Sequence, residues 1–259
     1  MTVPLKFIHV MKEASYLEQA LAEGLMFTDH RVAFHPSSDA ADAARVFNSY
    51  SLPLLLQRVA ALGLDGCALN LNALTGSLGS MAGQVPMICF SEIQRGRELG
   101  SHFVNFGAYG VAVTREWLEQ QGGDRVMYAG PHSAITKRLH RLFIDHQIAC
   151  VYDNAGTPLY NSRCIAPILD LLVYIQGRDQ LEEVEWRIAG HHGFMGGPRS
   201  TGTRIPLPLA DIETVLVQRE DDKPKFMAIL KSLAKAQGVA KTPRILVQPK
   251  TLPFPRTRY

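Results

Sequence analysis

Seven strand-length runs are spread along the chain: LKFIHV (5–10), PMICFSE (86–92), YGVAVT (109–114), RVMYAG (125–130), VEWRIAG (184–190), IETVLVQ (212–218) and PRILVQ (243–248). They are scattered and joined by short connections, with helical patterns interposed. That arrangement points to an α+β fold with a mixed or antiparallel central sheet and flanking helices.

The helical patterns are legible. SYLEQALAEG predicts a helix with Ser15 at its N-cap, Leu17, Ala20 and Leu21 on one face, and Gly24 as its stop. ARVFNSYSLPLLLQRVAALG (44–63) reads as a helical region interrupted at Pro53. REWLEQQGG is a short helix, and SAITKRLHRLFIDHQIAC (133–150) and KPKFMAILKSLAKAQG (223–238) are longer ones. CIAPILDLLVYIQG has the length of a buried helix broken near Pro167, whereas CALNLNALTGSLGSMAGQ (67–84) reads as a loop. No repeat and no linker divides the chain, so a single domain over residues 1–259 is expected, with a flexible tail at 249–259.

EEVEWRIAG (182–190) is the stretch with the most chemistry in it. As a strand it sends Val184, Trp186 and Ile188 to one face, and Glu183, Glu185 and Arg187 to the other. That charged row is either a solvated face with a cross-strand ion pair or one wall of a site. Trp186 reads as core in both cases.

Charge and cysteines narrow the setting. A formal charge of +3 is too mild to imply nucleic-acid binding by itself, and the basic tail PKTLPFPRTRY reads as a solvated end. Cys67, Cys89, Cys150 and Cys164 form no CxxC pair, which suits reduced thiols in a cytoplasmic protein. The N-terminus lacks a signal-peptide core, and no apolar run is long enough to span a membrane.

The histidines offer no metal site. His140 and His146 face different sides of a helix, and His191 and His192 are adjacent. HHGFMGGPRSTGTR (191–204) reads as a glycine-rich loop, either solvated or in contact with a partner. GSLGSMAG lacks the GK[ST] of a phosphate-binding loop, and no GxSxG elbow or Cys/His dyad is present. The absence of a carboxylate cluster also disfavours a nuclease.

Several of these segments carry a resemblance. ICFSEI (88–93), His102, YGVAV (109–113), REW (115–117) and RVMY (125–128) resemble successive blocks of the AbiGi-type abortive-phage-resistance family. FIHV with SYLEQALAEG, and EVEWRI, resemble its first strand and helix and its late signature. Arg125 stands where a proline would be usual. The resemblance implies phage defence with an antitoxin-like role and a toxin or phage-derived protein as partner, and supplies no reaction.

A looser resemblance, in block order, is to ADP-ribosyltransferases: His9 before LEQALAEG, Ser91 in ICFSE, and Glu183 with Glu185 in EVEWR. It implies an ADP-ribosyltransferase-like core acting on NAD, with nucleic acid or protein as the modified target. Glu185, with Glu183, would then stabilise positive charge developing on the ribose, and His9 would orient the dinucleotide. Ser91, His102 and Tyr109 would line the cleft, and Arg187 or the Arg95/Arg97 pair would meet the pyrophosphate.

Each of these residues also has a plain structural reading. His9 can be an outward residue of its strand, Ser91 and Glu92 a helix cap, and His102 and Tyr109 local packing. Two functions therefore stand at this point: an NAD-dependent transferase whose His9, Ser91 and Glu185 converge on one cleft, or a non-catalytic module that neutralises or regulates a toxin.

Overall fold

The computed structural model describes residues 5–34, 81–94, 99–130, 133–139, 173–177, 184–190 and 200–248, with isolated helical positions at 53, 57 and 60. The expected helices at 44–63 and 133–150 fall largely outside these residues, as do the start of the CIAPILDLLVYIQG segment and the tail.

The centre is a mostly antiparallel sheet. Its strands are β1 (Leu5–Met11), β3 (Thr28–Phe34), β4 (Met81–Gln94), β5 (Tyr109–Val113), β6 (Gly123–Arg125), β9 (Glu185–Ala189), β11 (Ile212–Val217) and β12 (Arg244–Val247). They are ordered β12-β11-β5-β1-β4-β9-β6, with β3 also paired to β4. The β11–β12 pair alone is parallel among these, because helix Lys223–Gln237 carries the chain back between them. Two small ribbons lie apart: β2 (Leu25–Met26) with β10 (Arg204–Ile205), and β7 (Met127–Ala129) with β8 (Ile175–Gly177). Mixed α/β content around a largely antiparallel sheet is as expected.

Alternation along the strands builds two apolar layers. Phe7 and Met11 of β1, Ile88 and Phe90 of β4, and Trp186 and Ile188 of β9 share one face. Onto it pack Leu17, Ala20 and Leu21 of helix Ala14–Glu23, Trp117 and Leu118 of helix Arg115–Gln120, and Phe226 and Leu230 of the last helix. Burying each large side chain here contributes about 1.5–3 kcal/mol. The opposite face has a smaller cluster of Ile8, Ile93, Ala112 and Leu216, covered by Leu99 and Phe103 at helix Gly100–Phe106.

The sheet is pulled tight beside β1. A Cβ on Gly110 would lie 2.4 Å from the His9 carbonyl oxygen, so only glycine lets β5 approach β1 this closely.

Several local expectations need correction. β4 starts at Met81, so its first residues are strand and not loop. They pair with β3, which the polar run Thr-Asp-His-Arg hides from any search for apolar alternation. RVMYAG is not one strand: Val126 turns the chain from β6 in the main sheet to β7 in a ribbon. The end of CIAPILDLLVYIQG is β8 and not helix. GSHFVNF, a stretch without a clear helical pattern, is a helix ended by Gly107. Glu13 occupies the N-cap of the first helix, and Ser15 donates to its carboxylate at 3.3 Å. Among the described residues no helix is long and apolar enough to cross a membrane.

Candidate functional site

On β9 the alternation of EWRIA is as expected, but its charged face is not solvated. Arg187 and Glu185 side chains are only 7% and 15% exposed. The guanidinium donates from Nε to Glu185 Oε1 at 2.8 Å and from Nη2 to Oε2 at 2.8 Å. Its Nη1 donates to the carbonyl of Val173. This is a bidentate, charge-assisted pair that uses both carboxylate oxygens. Burial works against the Arg187 charge, and the Glu185 carboxylate outweighs it, so the guanidinium stays cationic.

The neighbouring strands set what surrounds the pair. Cys89 of β4 lies opposite Arg187, and Ser91 opposite Glu185. Burial pushes the Cys89 thiol well above its usual range, and the Glu185 charge adds to this. Such a thiol stays protonated and is a poor nucleophile. His30 of β3 is pushed below its usual value by burial and then by the Arg187 charge, with Glu185 and Asp29 opposing. Its Nε2 is 2.9 Å from the Thr28 hydroxyl.

Ser91 is thus brought to Glu185, both in one cross-strand row with Ile8. His9 is not in that row. It pairs with Val111 of β5, one step beyond Ile8, and its ring lies 5.5 Å from Phe90 on the helix-packed side.

Its position follows from the sheet. β9 takes one edge of β4, and β1 and β3 lie end to end along the other. The β1 ladder stops at Ser91 and the β3 ladder begins at Met87, leaving the Cys89 carbonyl without a strand partner on that edge. His9 fills the break, with Nδ1 donating to this carbonyl at 2.8 Å. A carbonyl can only accept, so the neutral ring carries its proton on Nδ1. Burial pushes the His9 pKa down, which favours that neutral form.

Of the other proposed cleft residues, Tyr109 is the one whose side chain is among the described residues. Tyr109 is buried on the helix-packed face and donates its hydroxyl to Asp222 Oδ2 at 2.9 Å. Its pKa is raised by burial and by that carboxylate. His102 belongs to helix Gly100–Phe106, with its side chain outside the described residues, as are Glu183, Arg95 and Arg97. Among the described residues, no group of three or more His, Cys, Asp and Glu side chains could hold a metal ion.

The family model described as "Putative abortive phage resistance protein AbiGi, antitoxin" matches residues 75–205, half of the chain. The chain belongs to the AbiGi family. No curated protein matches it, and no solved structure does. The likeness to an ADP-ribosyltransferase fold therefore finds no counterpart among solved structures.

The AbiGi span takes in β4 and β9, hence Cys89, Ser91 and the Glu185–Arg187 pair. It leaves His9 and His30 outside. It also contains a second buried carboxylate, Glu92, which is 4% exposed. Glu92 is not a helix cap: its Oε2 accepts the Trp186 indole N–H at 2.7 Å and lies 3.5 Å from Arg125 Nε. Arg115 stacks over the same indole at 5.6 Å. A signal for this was available. Ile88, Phe90 and Glu92 are consecutive on the core side of β4, and a carboxylate in that register needs a buried donor.

Proposed function

We propose that this chain is the antitoxin-like member of a phage-resistance system, a binding module that neutralises or regulates a toxin protein without consuming NAD. Membership of the AbiGi family supports the system and the role. The observation that carries the non-catalytic part is the closed Glu185–Arg187 pair. A carboxylate that stabilises a ribosyl cation must face the substrate with its charge uncommitted. Both Glu185 oxygens are instead held by one guanidinium on the same strand. Freeing the carboxylate would leave a buried guanidinium unpaired, at a cost of about 3–5 kcal/mol. The break-filling role of His9 supports the same reading, since its Nδ1 is committed to the Cys89 carbonyl.

The test is chromatography of the purified chain with its cognate toxin, alongside an assay of nicotinamide release from millimolar NAD. A stable complex with no nicotinamide is the expected result. Nicotinamide release that is lost in Glu185→Gln would replace this proposal with the transferase.

A further inference from the structure

The sheet face that carries Trp186 ends, at its β6 edge, in two arginines. Arg125 of β6 lies directly opposite Trp186 of β9, so the two side chains share that face. Arg115, the first residue of helix Arg115–Gln120, reaches the same indole and stacks over it at 5.6 Å. The helix crosses close to β6: a Cβ on Gly123 would lie 2.6 Å from Leu118 Cδ1.

Each guanidinium is held by only part of its donor set. The buried Glu92 carboxylate lies 3.5 Å from Arg125 Nε and accepts the Trp186 indole N–H at 2.7 Å. Arg115 Nε donates to Glu119 Oε1 at 2.7 Å. The Arg115 pKa is raised by that hydrogen bond and charge first, and by the Glu92 and Glu116 carboxylates as well. Both arginine side chains are half exposed, at 53% and 54%. Their Nη groups have no hydrogen-bond partner among the described residues. The indole and Glu119 thus fix Arg115, Glu92 fixes Arg125, and the outward donors of both are pre-organised.

We propose that Arg115 and Arg125 form the docking point for the toxin, together gripping the carboxylate of an Asp or Glu side chain on its surface. This rests on the antitoxin reading and names the surface that carries it. Guanidinium forks match a carboxylate in geometry, and arginines around a tryptophan have the composition of an interface hot spot. Met127, two residues beyond Arg125 and 47% exposed, places an apolar side chain close by. All of these residues lie within the matched span 75–205. Local acids select the class of partner. Glu116 and Glu119 are exposed, so with Glu92 the patch sets three carboxylates beside two guanidiniums. A run of phosphates brings many charges against that balance, whereas a single carboxylate seated on the two forks brings one.

The test is calorimetry of the full chain with its cognate toxin, at about 50 and about 200 mM salt. The wild type should bind, more weakly at the higher salt, because exposed charges are screened. Arg115→Gln leaves the Glu92 contacts intact and should weaken binding roughly tenfold or more, with Arg115→Gln/Arg125→Gln weaker again. Arg115→Glu should bind more weakly than Arg115→Gln, because it sets one carboxylate against another. Circular dichroism shows that each variant is folded. Wild-type affinity in a folded Arg115→Gln, or equal affinity in Arg115→Gln and Arg115→Glu, would overturn the docking point and leave the antitoxin reading standing. Absence of any complex with the wild-type chain would end both. Displacement of the toxin by a DNA duplex would assign the arginines to nucleic acid and overturn the proposal as well.

Discussion

Arg187 holds Glu185 by two hydrogen bonds of 2.8 Å, on a strand whose other face is the Trp186 core. Two charges two residues apart on β9 are thus both removed from water and neutralise each other. The third guanidinium contact, to the Val173 carbonyl, ties the pair to the segment before β8.

The first prediction concerns that pair. Arg187→Met leaves the Glu185 carboxylate buried and unpaired, and should cost about 3–5 kcal/mol. Adding Glu185→Gln removes the stranded charge and should recover most of the loss. About 1–3 kcal/mol should remain, because the Val173 carbonyl has lost its donor. Urea denaturation of the single and double variants measures both quantities. Equal stabilities for the two would mean that the pair is not buried as described.

Trp186→Ala should cost about 3–5 kcal/mol, since it empties the space beside Phe7 and removes the indole donor from Glu92, leaving that carboxylate with Arg125. Trp186→Phe keeps most of the apolar volume and loses only the indole donor. It should therefore cost less, about 1–3 kcal/mol. Thermal or urea unfolding of the two proteins side by side decides between volume and hydrogen bond.

His9 supplies a pH dependence with a definite sign. Its pKa in the fold is below the ordinary value near 6.5 because the ring is buried. The unfolded chain thus binds the proton more readily. Stability from this group is complete above about 6.5 and declines as the pH falls below it, toward the folded pKa. His9→Gln retains an amide donor for the Cys89 carbonyl and cannot titrate. Its stability should fall less than that of the wild type between about pH 7.5 and 5.5, as read by urea midpoints. His30 has a shift of the same sign, so some acid sensitivity should persist in the variant.

How much of this could be read from the residues differs between fold and site. Strands with regular alternation, such as LKFIHV, IETVLV and EWRIA, are legible because one face needs apolar side chains at every second position. β3 was hidden because Thr28, Asp29, His30 and Arg31 interrupt that pattern, and its stability comes from pairing with β4. Alternation alone separates the two faces of β9, but burial of its charged face depends on β4, β6 and the Val173 carbonyl. His9 stands out in the sequence as a chemical group, but its partner is a backbone carbonyl 80 residues away. A break between two collinear strands leaves no trace in local sequence.

The central claim is that neutralisation depends on binding and not on the Glu185 carboxylate. The direct measurement is growth of cells that express the cognate toxin together with Glu185→Gln/Arg187→Met, with circular dichroism showing that the variant is folded. Full rescue, equal to the wild type, is predicted, because the pair is internal to the sheet and its removal leaves the surface unchanged. Loss of rescue by the folded variant would contradict the account and return Glu185 to a catalytic role.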